Sequence, residues 1–310
     1  MFRKFSNKQL LIALAVLAVL YLGAVMLHSG GDQTFRKNIA VVDTARVNNM
    51  LIIRPGGESI SLQKSSGAWV VNLPGGKAAP AAGSSVESAV NSLVSLEAVQ
   101  LVSRDEEKWS EYKVDTAGTR VQLLEGDEPL LDIVLGRFEY KQSGPQNYVR
   151  LYDEDEIYLV NGFLEMSFNK EPNDWRDKEL VKGSRSEWSM IAFNYPADSS
   201  FQLVKGEDNK WRFSDSTEVD ASKMSSYLST LENLRGITFV DDMQAPGSPL
   251  MEVQVTGSGS ALQIRAYPKA DGTGYIISSN QNPDAYFDGS SLWSRVFVGK
   301  SHFLPPPPES

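Results

Sequence analysis

The chain of 310 residues has no cysteine and only two histidines, His28 and His302, near its opposite ends. Without thiols there can be no disulfide, thiolate nucleophile, zinc-thiolate cluster or lipid-modified N-terminal cysteine, and two distant imidazoles do not compose a histidine-rich metal site. Positive charge is also in short supply: 30 Lys and Arg stand against 39 Asp and Glu. The formal charge of −9 becomes −12 for the remainder once Arg3, Lys4 and Lys8 are set aside. A body so charged repels phosphate backbones and anionic lipid heads, so nucleic acid is not an expected partner. What is present is ordinary for a folded chain, with 41% apolar and 22% charged residues. Its length suits about two domains of roughly 130 residues each.

Long apolar runs are scarce too, with one exception. Leu10 to Leu27 (LLIALAVLAVLYLGAVML) carries no charge, and as a helix it would extend about 27 Å, close to the thickness of a hydrocarbon core. Arg3, Lys4 and Lys8 precede it, and the positive-inside bias places that end in the cytoplasm and the body outside. A cleaved export signal would have a shorter apolar core and end in a small-x-small site, whereas this run ends Val25-Met26-Leu27-His28-Ser29, which favours an uncleaved anchor. The expected divisions are a cytoplasmic tail (1–8), a membrane anchor (9–28), a linker (29–48), a first unit (49–183), a second unit (184–304) and a proline-rich tail (305–310).

The two units look like copies. Ile60-Ser-Leu-Gln-Lys64 and Gly67-Ala-Trp69 correspond to Phe201-Gln-Leu-Val-Lys205 and Asn209-Lys-Trp211, and Leu93, Leu96 and Glu97 to Leu228, Leu231 and Glu232. Farther on, Arg120–Leu123 corresponds to Glu252–Val255, Leu131–Ile133 to Leu262–Ile264, and Tyr148–Arg150 to Tyr275–Ile277, all in the same order. Alternation over 59–64 and 69–71 across Ser65-Ser66-Gly67 predicts a hairpin. Ser84 and Glu87 have capping-box spacing ahead of a helix with Val86, Val90, Leu93 and Leu96 on one face, and Asp220 is the expected cap of the second helix. Short alternating runs at 119–125, 130–136, 147–152 and 156–160, and again near 250–256, 261–267, 274–279 and 284–288, predict antiparallel meanders. The expected architecture is therefore α+β: a single transmembrane helix, then two tandem duplicated units of meander sheet, each covered by one main amphipathic helix, hinged around Lys182 to Glu187.

Trp69, Leu96-Glu-Ala-Val99, Tyr112-Lys-Val-Asp115, Val134-Leu-Gly136, Tyr148-Val-Arg150, Ile157-Tyr-Leu-Val160 and Trp175-Arg-Asp-Lys178 together resemble the bacterial domain-of-unknown-function 4340 family (DUF4340). The likeness covers roughly residues 50–182 and extends loosely into the second unit. It implies an exported, membrane-anchored protein, often encoded beside ABC exporter components similar to those of gliding-motility systems, and so a role at integral-membrane exporter or permease subunits. The family usually has Gly after the Tyr where this chain has Lys113, which puts the turn geometry there in question. The resemblance implies no catalytic residue and no cofactor.

The chemical motifs give little else. Gly299-Lys300-Ser301 lacks the earlier Gly of a phosphate loop, Ser294 standing in its place. Ser61 and Lys64 have Ser-Lys spacing but fall on a strand, on opposite faces, and Ser167 and Lys170 have no evident oxyanion hole. Asp153 to Glu156 reads as a solvated hairpin tip rather than a calcium loop, and Asp241-Asp242 offers fewer ligands still. Trp69 and Trp211, at equivalent positions, read as core. Trp109, Tyr112, Trp175 and Arg176, aromatic and charged side by side, are the candidate partner contacts. The leading expectation is thus an accessory protein acting by binding and not an enzyme. A module for an envelope polymer or solute in a cleft between the units is the alternative, and a hydrolase the remote one.

Overall fold

The computed structural model describes residues 16–17, 35–241 and 247–306. The apolar run Leu10–Leu27 thus lies outside the described residues except for Val16 and Leu17; among the described residues no helix is long and apolar enough to cross a membrane.

The described chain is α+β and builds two antiparallel sheets. The first contains β1 (Asn49–Ile53), β2 (Ser59–Ser65), β3 (Ala68–Asn72), β4 (Ala78–Pro80), β5 (Ala98–Ser103), β6 (Thr119–Glu125), β7 (Glu128–Lys141), β8 (Gly144–Leu151) and β9 (Ile157–Asn161), in the order β4-β3-β2-β1-β6-β7-β8-β9-β5. Helix α1 (Gly83–Val94) lies between β4 and β5 in sequence, and a single turn of helix, α2 (Trp109–Tyr112), precedes β6. Two short helices, α3 (Leu164–Phe168) and α4 (Pro172–Trp175), lead out. The second sheet contains β10 (Trp188–Asn194), β11 (Phe201–Lys205), β12 (Trp211–Phe213), β13 (Met251–Gly257), β14 (Leu262–Pro268), β15 (Tyr275–Ser279) and β16 (Asn282–Asp288), in the order β12-β11-β10-β13-β14-β15-β16. Helix α5 (Ala221–Glu232) falls between β12 and β13. Apart from edge strands β4 and β5, the two orders are the same.

Alternation explains the strands. In β6, Thr119, Val121 and Leu123 point inward and are buried, while Arg120 and Gln122 alternate with them, as a sheet with one packed face requires. The β2–β3 hairpin closes through Ser66 and Gly67, both at positive φ (51° and 85°), the geometry that matches the twist of a two-residue turn. Val86, Ala89, Val90 and Leu93 of α1 and Met224, Tyr227, Leu228 and Leu231 of α5 are buried at identical helical spacing, so each helix lays one stripe on its sheet.

That spacing shifts the correspondence expected between the two units. Leu93 corresponds to Leu231 and Leu96 to Leu234, one turn away from the pairing expected from sequence. The Leu96 carbonyl accepts from Ile39 N–H at 2.9 Å, and the Leu234 carbonyl accepts from Leu180 N–H at 3.0 Å. Strand register likewise pairs Tyr148 with Ile276 rather than Tyr275: Ile133 faces Leu151 as Ile264 faces Ser279. The segment read as a linker up to Asn48 is not free either, because Ile39, Ala40 and Val47 are buried in the first core.

The capping box at Ser84 and Glu87 does not form. The helix begins at Gly83 with Ala82 as its cap and no side-chain hydrogen bond, because the chain enters it directly from the β4 side: Ala81 pairs with Arg176, and Ala82 N–H donates to the Trp175 carbonyl. Asp220 does cap α5, its Oδ1 accepting from Ser222 and Lys223 N–H at 2.9 and 3.0 Å.

One apolar cluster lies under α1 and another under α5. A smaller third cluster, Val114, Val134, Tyr148, Ile157 and Leu159, forms where the segment containing α2 packs on strands β7, β8 and β9.

Candidate functional site

The connector between the sheets is bonded on both sides. Arg176, 2% exposed, places Nη1 2.8 Å from both carboxylate oxygens of Asp241 and its guanidinium 3.5 Å from the Phe239 ring centre. Asp177 N–H donates to the Pro80 carbonyl in the first sheet, while Asn282 Nδ2 donates to the Asp177 and Glu179 carbonyls from the second. Ser279 Oγ donates to the Leu180 carbonyl. The expected hinge region is also held: Glu232 Oε1 accepts from Arg185 N–H at 2.9 Å and from Ser184 Oγ at 3.2 Å.

Trp175 and Arg176, expected to meet a partner, are therefore interior groups. Trp175 is fully buried against Phe168, with the Lys170 ammonium 4.7 Å from its ring centre. Trp109 and Tyr112 are half-buried. Trp109 Nε1 donates to the Asp155 carbonyl, and the Tyr112 ring lies 4.5 Å from that of Tyr148. Both serve the third apolar cluster and retain only part of their surface.

Arg150 is the centre of that region. It is 3% exposed and donates to the carbonyls of Val114 (3.0 Å), Leu151 (3.2 Å), Tyr152 (2.6 Å) and Glu154 (3.0 Å), with its guanidinium 3.8 Å from the Trp109 ring centre. Burial lowers its pKa from the usual guanidinium value. The acidic run is pinned as well: Glu154 pairs with Arg36 at 2.8 Å and Glu156 with Arg104 at 3.4 Å. Among the described residues no cluster of acids or imidazoles could hold a metal ion. Lys113, at φ +54°, adopts the left-handed geometry that glycine favours, so the turn does not require the family's Gly.

The remaining motifs resolve as structural pairs. Ser167 Oγ donates to the Phe163 carbonyl, and Lys300 pairs with Asp215 at 3.0 Å. Asp215 is held down to about 2, chiefly by its bonds to Thr217 and then by Lys300. His302 is exposed, and His28 and Asp242 lie outside the described residues.

The site that sequence reading missed is a cleft of about 680 Å³ within the second unit, between α5, the β11–β12 turn and the segment 184–186. Met224 and Leu228 are buried in its floor and Trp211 is half-buried beside them. Four cations line it: Arg185, Lys205, Lys210 and Arg212. Arg212 is held by Asp208 through contacts of 3.0 and 2.6 Å, and this pairing, with the Lys210 N–H, depresses the Asp208 carboxyl well below its ordinary range. Arg185 lies 3.5 Å from Glu232. Among the described residues, Lys205 and Lys210 have no carboxylate within salt-bridge distance, unlike Arg185 and Arg212. The matching place in the first unit is a cavity of about 290 Å³ beside Thr44, Lys64, Trp69, Glu87 and Val90.

A model of the family described as a domain of unknown function (DUF4340) matches residues 69–249. The match starts at the indole of β3 and runs through α5, well into the second unit, so it is wider in that direction than the motifs alone imply. No curated protein and no solved structure matches the chain.

Proposed function

The chain belongs to the DUF4340 family, and from that premise we propose that it is a membrane-anchored, extracytoplasmic accessory protein that acts by binding, as an auxiliary subunit of an ABC-type export complex. The observation that carries this reading is the charge-free run Leu10–Leu27 preceded by Arg3, Lys4 and Lys8, which would hold the body at the outer face of the inner membrane. Confinement there raises the effective concentration of the body for a membrane partner. Association with exporter or permease subunits is what the family likeness implies.

Two further features support binding over catalysis. The two sheets share one strand order, with a helix at the same place in each, and we read them as duplicated units, a plan that multiplies surface. The strongly depressed carboxylates, Asp208, Asp215 and Asp288, are each tied to a cation and to a turn or cap N–H, so their shifts follow from local structure.

Fractionation of cells followed by detergent extraction tests the proposal. The expected result is recovery with membranes and co-purification with integral permease subunits. Recovery of the full-length chain from the soluble fraction, or migration alone under conditions that preserve other membrane complexes, would overturn it.

A further inference from the structure

We propose that the cleft in the second unit is a binding site for an amphiphilic anion, a molecule with an apolar chain or ring and a carboxylate or phosphate head. The strongest support is internal, because the same fold occurs twice and only one copy opens the site. Residue pairs fix the equivalence. Lys64 faces Trp69 across β2 and β3 as Lys205 faces Trp211 across β11 and β12. The coincident buried stripes of α1 and α5 place Val90 with Leu228 and Glu87 with Ser225.

In the first copy the place is less than half as large and close to neutral. Trp69 is 4% exposed, the Lys64 ammonium sits 5.2 Å from its ring centre, and Glu87 supplies a negative charge. Three differences change the second copy. Ser225 replaces the acid, Arg185 stands where Thr44 stands, and the turn between the facing Lys and Trp is one residue longer, bringing Lys210 to the rim. The volume rises from about 290 to about 680 Å³, which falls within the range of small-molecule sites.

The chemistry of the lining selects the ligand class. Four cations face one lining acid, Glu218, on a chain whose formal charge is −9. Two of them, Arg185 and Arg212, are already engaged with Glu232 and Asp208, which leaves the Lys205 and Lys210 ammonium groups to meet an incoming anion. The floor of Met224, Leu228 and Trp211 offers nothing to a small hydrated ion and suits an apolar body. Addition of a peptide strand is disfavoured, because the outer side of β12 is occupied by the Arg212–Glu218 bridge and by the bond from Phe213 N–H to the Thr217 carbonyl.

Calorimetric titration of the full-length protein in zwitterionic nanodiscs tests the assignment, with dodecyl phosphate, dodecanol and inorganic phosphate as probes. Dodecyl phosphate should bind saturably at one site per chain, and dodecanol and phosphate each about tenfold or more weaker, a step of roughly 1.4 kcal/mol. The double variant Lys205→Ala/Lys210→Ala should lose about tenfold or more in affinity. Ser225→Glu, an exposed helix position that restores the acid of the first copy, should weaken binding comparably, whereas Lys64→Ala should leave it unchanged. Mass spectrometry of ligands retained by protein purified from native membranes would then separate a bilayer phospholipid from a free fatty acid. Absence of saturable binding, equal binding of dodecanol, or full affinity in both cleft variants would overturn the proposal.

Discussion

Replacing Arg150 by Met should destabilise the first unit by about 3–5 kcal/mol. The side chain is 3% exposed and has no salt bridge among the described residues, where four carbonyl oxygens and the Trp109 ring meet its charge. A hydrogen bond to a charged group contributes roughly 1.5–3 kcal/mol, and an orphaned buried acceptor costs about 1–3 kcal/mol. The four bonds are not additive, because the oxygens of Tyr152 and Glu154 lie near a solvated tip and can rehydrate. The Val114 carbonyl belongs to a fully buried residue and has less access to water. Counting one or two orphaned acceptors and about 1 kcal/mol of lost cation–π attraction gives the stated range. Met retains most of the volume, so cavity formation contributes little. Lysine can satisfy only part of the fan, and Arg150→Lys should cost about 2–3 kcal/mol. Urea unfolding followed by tryptophan fluorescence and circular dichroism measures both, with proteolysis of the 152–156 loop as an independent readout. A loss below about 1 kcal/mol for Arg150→Met, with the loop still protected, would refute the reasoning.

Three further outcomes follow from local geometry. Gly136→Ala should cost more than about 3 kcal/mol, measured as the shift in urea midpoint, since its Cβ would lie 2.3 Å from the Tyr112 carbonyl oxygen and 2.7 Å from Val114 Cγ1, contacts the backbone must move to relieve. Lys113→Gly should stabilise by about 0.5–1 kcal/mol in the same assay, because it removes the Cβ from a left-handed residue while adding unfolded-chain entropy. Asp288 is lowered to about 2, first by Lys269 and then by Ser290. Its folded-state pKa is depressed, so its contribution is complete above the ordinary carboxylate value near 4 and is lost as pH falls through about 2. Asp288→Asn should remove about 1–2 kcal/mol at neutral pH and nothing below pH ~2, as acid titration of the unfolding midpoint would show.

Strand positions were legible because alternation reports one face of a sheet directly. The phase of the helices was less so. Leucines recur every three or four residues on a helical stripe, so Leu93 and Leu96 superimpose on Leu228 and Leu231 almost as well as on their true counterparts. The buried stripes, and the carbonyls of Leu96 and Leu234 receiving Ile39 and Leu180, decide between the two. The one-residue slip at Tyr148 comes from matching residue type: Tyr275 packs with Ile277 on the second core, whereas Tyr148 lies on the opposite face from its neighbour Val149, in the third cluster. The cleft depended on that phase. Its matched Lys–Trp pairs are visible in the sequence, but the change from Glu87 to Ser225 becomes meaningful only when the helices are aligned by burial. Trp175 and Arg176 stand out in the sequence for their chemistry, and nothing local shows that Asp241, Phe239 and Phe168 enclose them. Ala82 as a helix cap was equally hidden, since it follows from pairing between Ala81 and the distant Arg176.

The stretch from Arg176 to Leu180 gives bonds to both sheets and keeps few groups for itself. A protein strung this way behaves less like two beads on a cord than like a lever with a riveted joint. A tug on the far lobe would reach β4 of the near one through these bonds, without first taking up slack.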